Sequence, residues 1–470
     1  MSAGFGNYET RRYERDLLRA SIQGLYRSEW QERAEENPEA VRSRETLCGL
    51  PANLIVPETG GGSFVLDPSV LVSPLDDGGK VAKFGNTVRC GCVWTCPVCS
   101  FVVRTIRAGE IETAQKAWAA ESGHCYMLTL TLSHARGDSL SALVECLCGR
   151  KTKKHPERKN GAWVRFLNSK LWKRKPSKRN PWPGFAVYMG GPLGRIGVIR
   201  ALEVKYGKNG WHPHLHIMFF ARRDLSPAEL SCWESELASL WADCVATCGG
   251  FADLSHGCSL VKMDGEGSGR YLSKEVRAGF EIAGGQGKTA GASLNPFDLV
   301  DKGLAAASRR IALGVSESQG LALWWAFDKA FHGRHLLDWA PKLKAYFGID
   351  EKSDEDAAED EDAAADIVAY VESGLYRREL GPNRPERRAD FLHRVAVGDM
   401  DGAAALIGAE LDRSVFPTFT EPGTVHAPVD LLRVEVENEF MQWVLSDTDA
   451  VNPLEGCADS AQDSQLVLVE

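Results

Sequence analysis

His212-Pro213-His214-Leu215-His216 runs directly into Ile217-Met218-Phe219-Phe220. In a β-strand, residues two apart share a face, so these three imidazoles would line one side of a strand whose far end is buried. A lone histidine on a strand is an ordinary core or surface residue. Three in strict alternation against a core cost desolvation unless a ligand compensates, and imidazole is a donor to many divalent metals. Downstream, Tyr271-Leu272-Ser273-Lys274 follows a glycine-rich stretch. On a helix, positions i and i+3 share a face. A Tyr phenolate can attack phosphorus and hold it as a covalent ester, with Lys274 steadying the developing charge. Taken alone, Tyr-x-x-Lys is an ordinary helix surface; its weight comes from following the histidine strand. Metal-assisted nucleophilic chemistry on a phosphodiester is the expectation.

A carboxylate on a neighbouring strand would complete a facial ligand set for His214 and His216. Glu203, in Ala201-Leu202-Glu203-Val204, is the candidate; its alternative is a surface glutamate on an edge strand. A second ligand group is cysteine. Cys90-Gly91-Cys92-Val93-Trp94-Thr95-Cys96-Pro97-Val98-Cys99 contains a Cys-Pro-x-Cys knuckle with two more thiols beside it, and Cys48 lies upstream. This predicts a closed tetrahedral zinc site rather than a redox pair, with five thiols for four positions.

These residues need a scaffold. Val102–Glu121 has helical spacing, and Tyr126–Leu132 alternates apolar residues with Thr. Ser139–Leu147 predicts a short helix. Ala186–Met189 and Gly197–Tyr206 predict strands, and Gly207-Lys208-Asn209-Gly210 a hairpin turn into the strand Trp211–Phe220. Pro227–Cys248 predicts an amphipathic helix, Ser259–Met263 a strand, Arg270–Ala278 a helix and Leu321–Phe347 a Trp-rich helical region. That order fits an α+β fold with a central antiparallel sheet and helices packed on one face.

At 470 residues the chain predicts more than one domain. The boundaries expected are a helical segment over 1–47, a cysteine-rich zinc-binding region over 48–115 and a chemistry-bearing domain over 116–283. A helical extension follows over 284–349, then an acidic disordered linker over 350–366. Residues 367–470 are expected as a small helical module with a disordered tail. No apolar run reaches the ~20 residues of a membrane helix, and the charged N-terminus lacks a signal-peptide core, so a cytoplasmic location is expected. Thirteen cysteines in such a chain point to thiols and metal ligands rather than disulfides.

The net charge of −9 hides two opposite regions. Residues 350–366 carry ten acids and one Lys, so the remainder of the chain is neutral. Within that remainder, residues 150–179 hold thirteen Lys or Arg against the single acid Glu157, interleaved with Trp163, Phe166 and Trp172. Cations with aromatic neighbours suit phosphate contacts plus base stacking, with Lys173, Arg174, Lys175, Lys178 and Arg179 as the DNA-binding candidates. A solvated surface loop is the plain alternative.

The strand MLTLTL, the motif GWHPHLHIMFF and the segment RYLSKEV, in this order, resemble the three motifs of plasmid rolling-circle replication initiators of the HUH endonuclease superfamily. RCGCVWTCPVCS, LNPFDLV and GRHLLDWAPKLKAYFG look like theirs too. The likeness is to the actinobacterial plasmid type and covers about Cys48 to Phe347. It implies the HUH endonuclease fold, with His214 and His216 binding Mg2+ or Mn2+ and Glu203 third. Tyr271 would nick one strand of plasmid origin DNA and hold the 5′-phosphate, freeing a 3′-hydroxyl primer, with Lys274 at the phosphate. Such proteins carry Ser or a similar residue where this chain has Cys92, which implies Cys48, Cys90, Cys96 and Cys99 as the Zn2+ ligands. Some relatives place a Glu four residues before the tyrosine to activate water for termination. Here Gly267 stands there, leaving Glu266, Asp264 or neither for that role. Host helicase and replicative polymerase are the partners implied. Two rival functions are a zinc-dependent DNA-binding regulator without nicking activity and a histidine-triad nucleotide hydrolase, in which an imidazole attacks phosphorus without metal.

Overall fold

The computed structural model describes residues 3–56, 62–75, 78–152, 155–263, 293–359, 365–412 and 417–420. They fall into two units, Cys90–Glu361 and a second that joins Met1–Arg89 to Asp362–Glu470. These two units cut across the succession of modules expected along the chain. Segments expected as an N-terminal helix, part of a zinc region and a C-terminal module share one unit.

In that discontinuous unit, α1 (Ala3–Glu36) is the helical N-terminus that was expected. β1 (Asn53–Val56) and β2 (Gly62–Val65) form an antiparallel pair. A five-stranded sheet is ordered β14–β15–β13–β3–β4, comprising β3 (Ser69–Pro74), β4 (Lys80–Gly85), β13 (Asp366–Val371), β14 (Glu410–Asp412) and β15 (Thr418–Thr420). Residues 367–470 were expected to begin with a small helical module. Instead Asp366–Val371, whose apolar and β-branched residues suit a pleated surface, pairs antiparallel with β3. Helix Pro385–Ala396 packs Phe391 and Leu392 onto this sheet's core with Val70, Phe84 and Phe419. Below it, Asp16 on α1 is buried between Arg19, at 2.7 Å, and Arg388, at 3.5 Å.

The unit Cys90–Glu361 is built on a second sheet, ordered β10–β5–β9–β8–β11, with β12 also pairing β8. Its strands are β5 (His124–Thr131), β8 (Gly197–Gly207), β9 (Gly210–Ala221), β10 (Cys258–Met263), β11 (Ser293–Leu294) and β12 (Leu337–Trp339). All are antiparallel. A small hairpin, β6 (Arg150–Thr152) with β7 (His155–Lys159), stands apart from it. β8 and β9 join through Lys208 and Asn209, and Gly207 pairs with Gly210. Gly210 has φ +89°, and a Cβ there would lie 2.7 Å from the Arg136 backbone. Only glycine meets both demands, so the register of the histidine strand is set at this corner.

β9 is buried on both faces, and helices cover both rather than one. On the face of His214, His216, Met218 and Phe220 lies α2 (Pro97–Ala120), whose Gln115 reaches the Met218 sulfur at 3.5 Å and whose Trp118 packs against Phe220. The opposite face carries Phe219, which meets Phe185 of α6 (Phe185–Met189) edge to face. α6 packs on α5 (Lys170–Lys173) through Trp172 and on α7 (Pro227–Thr247) through Trp233, and α7 meets α4 (Ala162–Asn168), which adjoins α3 (Leu140–Cys148). α7 starts sharply because Ser226 and Glu229 cap it reciprocally and Pro227 occupies its first turn.

Four further expectations change. Ala186–Met189, expected as a strand, is part of α6. Leu337–Trp339, expected within a helical region, is a strand on β8; helix Glu317–Phe331 precedes it. The acidic run is ordered over its described part: Ser353 caps helix Asp354–Glu359, and Ala357 and Ala358 are fully buried. Trp163, Phe166 and Trp172, expected beside DNA, are core residues at 4%, 0% and 4% exposure. Phe166 packs on Trp163, Trp172 and Trp241, and Trp172 on Phe185. The expected helix Arg270–Ala278 lies outside the described residues.

Candidate metal centres and nucleic-acid surface

The pairing of β8 with β9 sets Glu203 opposite His214, and that of β5 with β9 sets Thr129 opposite His216 and Thr131 opposite His214. Cross-strand neighbours on one face are within side-chain reach. Glu203 Oε2 lies 3.2 Å from His214 Nε2 and 3.2 Å from His216 Nε2, and the two Nε2 atoms are 3.0 Å apart. Three donor atoms thus form a nearly equilateral triangle. A divalent ion with ligand bonds of about 2.1 Å holds adjacent octahedral ligands about 3.0 Å apart, so the triangle fits one face of that octahedron.

The rings are oriented for this. His214 Nδ1 is 3.3 Å from the His212 carbonyl oxygen, and His216 Nδ1 is 3.1 Å from Thr129 Oγ1. A Nδ1–H donated to each oxygen leaves both Nε2 lone pairs facing the common point. Burial raises the Glu203 carboxyl pKa, but the hydrogen bonds it accepts from His214 and His216 when those rings are protonated, with the charges of His214 and Lys205, outweigh it. The group is held well below the usual carboxylate range. Lys205 Nζ binds the other Glu203 oxygen at 2.7 Å. An ionised carboxylate with two imidazoles suits Mg2+ or Mn2+, and the three bring together Glu203, His214 and His216 as the sequence predicted.

Several neighbours were not foreseen. His134 stacks near His212, ring centroids 4.8 Å apart, and His212 near His214 at 5.0 Å, so the row contains four imidazoles. Burial, with the charges of His214 and His134, pulls the His212 pKa down to about 4, so its ring is neutral at neutral pH. Pairing MLTLTL antiparallel to the histidine strand would have found His134 and Thr129. Arg104 of α2 is buried over the Trp94 ring at 5.2 Å. Burial pulls its pKa down to about 10 against the opposing pull of Glu203 and Asp354.

The thiols of Cys48, Cys90, Cys96 and Cys99 form the second group, all buried and all within 4.8 Å of one another. Tetrahedral zinc with bonds of about 2.3 Å requires sulfurs about 3.8 Å apart; Cys90 and Cys99 are at 3.6 Å. The set suits a structural Zn2+. Cys96 is the N-cap residue of α2 and Cys99 lies in its first turn, so one helix start places two of the four thiols. Cys92 stays outside the group, its thiol 3.4 Å from the Cys90 carbonyl oxygen. Elsewhere burial pushes the Cys125 and Cys258 thiols up to about 12, which keeps them protonated and inert.

Lys173 ends α5, and Arg174, Lys175, Lys178 and Arg179 follow in a surface loop. None of the five is ion-paired with another described residue. Tyr271, Lys274 and Glu266 lie outside the described residues, as does Asp264. No helix among the described residues is long and apolar enough to cross a membrane.

No protein-family model matches the chain, and no solved structure does. It is 28% identical over 318 residues to a protein rep of Streptomyces lividans, an alignment spanning 61% of this chain and 69% of that protein. It is 33% identical over 153 residues to a neomycin resistance protein of Streptomyces cyanogenus, spanning 32% of this chain and only 34% of that one. A mixed α+β fold, a Glu/His metal site, a four-cysteine group and a distant, partial relative named protein rep are together consistent with an HUH-type Rep protein at the level of the family.

Proposed function

We propose that this chain is a rolling-circle replication initiator of the actinobacterial plasmid type, a metal-dependent, site-specific single-strand DNA endonuclease and strand transferase. The observation that carries this is the Glu203–His214–His216 triangle, set in the middle of an antiparallel sheet and matched to one face of a divalent ion's coordination shell. Mg2+ or Mn2+ held there would polarise the scissile phosphate as a Lewis acid. The Tyr271 phenol oxygen bonds to phosphorus while the P–O3′ bond breaks. The 3′ oxygen leaves, takes up a proton and becomes the primer, and the 5′ phosphate stays on Tyr271 as an ester. Lys274 contacts that phosphate. A second transfer rejoins the strands at termination, with Glu266 or Asp264 as the residue that activates water if water is the acceptor. Host helicase and polymerase would extend the freed end.

The triangle also speaks against the histidine-triad alternative. Both Nε2 atoms converge on a carboxylate at 3.2 Å, which suits ligation rather than in-line attack by an imidazole.

Incubating the protein with single-stranded plasmid origin DNA and Mn2+ tests this. The expected outcome is a nick with a 5′-phosphotyrosyl adduct, lost in Tyr271→Phe and reduced at least a hundredfold by His214→Ala or chelation. Cleavage retained by Tyr271→Phe overturns the mechanism, and cleavage unaffected by both His214→Ala and chelation points to a metal-free route.

A further inference from the structure

With Trp163, Phe166 and Trp172 buried, the basic segment has lost the aromatics that could stack on bases. Trp182 takes their place. It is 74% exposed, the most exposed tryptophan among the described residues, and it sits in the surface loop whose cations are ion-paired with no other described residue. From Arg158 to Leu202 the sequence has eleven Lys or Arg and no Asp or Glu. An exposed indole within a cationic stretch of chain fits a ligand with both phosphates and bare ring faces.

The loop is also held in shape. Gly184 N donates to the Arg174 carbonyl oxygen at 2.7 Å and closes its base, and Arg174 Nε donates to the Trp182 carbonyl oxygen at 2.8 Å. Ser177 and Asn180 exchange backbone hydrogen bonds, and Trp182 N donates to Asn180 Oδ1 at 3.2 Å. Pro181 and Pro183 flank the tryptophan, which confines its backbone to extended conformations. A platform already ordered loses little entropy when a ligand stacks on it.

We propose that the loop 174–183, with Lys173, is a single-strand DNA clamp in which one base stacks on Trp182 while Lys173, Arg174, Lys175, Lys178 and Arg179 contact the flanking phosphates. Single-stranded DNA is favoured over duplex because paired bases keep their faces inside the stack, where an indole cannot reach them. An acidic protein would use the cations but has no need of the indole. The clamp deepens the proposed function and rests on it for the choice of DNA.

The test is polarisation of a fluorescently labelled oligo-dT, titrated with the zinc-loaded full chain without added Mg2+ or Mn2+ so that cleavage plays no part. Trp182→Ala should weaken binding about tenfold at constant salt slope, and Trp182→Phe should restore it to within about threefold. A Lys178→Gln, Arg179→Gln double variant should lower the salt slope by about 1.4. Unchanged melting temperatures confirm folded variants. Wild-type affinity in Trp182→Ala overturns the proposal, as does equal competition by duplex DNA or by poly-glutamate. If Trp182→Ala binds normally while the wild type still nicks, the clamp alone fails. If Trp182→Ala loses affinity while the wild type never nicks, the clamp stands and the nuclease assignment falls.

Discussion

Two segments of the unit Cys90–Glu361 are both dense in charge, of opposite sign, and behave oppositely in the fold. The acidic one, 350–359, turns inward. Arg107 of α2 donates to Asp354 at 2.9 Å and to the Lys352 carbonyl oxygen at 2.7 Å, with Glu110 on its other side at 2.7 Å. Burial lowers the Arg107 pKa, but Asp354 and Glu110 outweigh it and raise it, so the guanidinium is fixed as a cation. The basic one, around 173–179, keeps its aromatics in the core and its cations in solvent, with no carboxylate among the described residues to meet them. A charge run therefore reveals little by its length. What matters is whether the chain supplies the counter-charge, because a run that lacks one is available to a ligand that brings it.

That contrast can be broken at three points. The largest effect is expected from the paired tryptophans: Trp172→Ala should cost about 3–5 kcal/mol and lower the melting temperature by on the order of 10 °C. Trp182→Ala should leave that temperature within about 2 °C. Equal losses would erase the distinction between core and surface aromatics. Next, Arg107→Ala leaves Asp354 and Glu110 facing each other without their shared cation. A loss of about 3 kcal/mol by urea titration is expected, and an Asp354→Ala background should recover part of it in a double-mutant cycle. No coupling would mean the acidic run is not held by charge. The smallest effect is at the cap, where Ser353→Ala should cost about 1 kcal/mol and hasten proteolysis at 350–359.

Much of the site was legible because it is written in short periods. The alternation of Tyr126–Leu132 and of Gly197–Phe220 specified strands, and one turn placed Glu203 opposite His214. Thr129 and His134 required knowing which strand pairs with β9, a tertiary fact that no local pattern contains. Ala186–Met189 was misread because a short apolar run has no period of its own, and Gly184 and Gly190 close a helical turn as readily as a strand. The acidic helix was missed because a composition rule for disorder weighs neither the Ser353 cap nor acids stabilising a helix N-terminus, nor two alanines small enough to bury. Trp163, Phe166 and Trp172 recur at spacings of three and six residues, a core pattern that the surrounding lysines disguised.

The discontinuous unit has a consequence for how the chain is made. β3 is flanked by β4 on one edge and by β13 on the other, yet β13 follows β3 by about 290 residues. At roughly 5–20 residues per second, a ribosome takes on the order of 15–60 s to deliver it. During that interval Cys90–Glu361 can emerge and fold while β3 waits with an open hydrogen-bonding edge, a state in which strands pair with the wrong neighbours. Residues that finish the sheet are therefore also its timekeeper, and synthesis halted before Asp366 would strand the first segment as an aggregation-prone half.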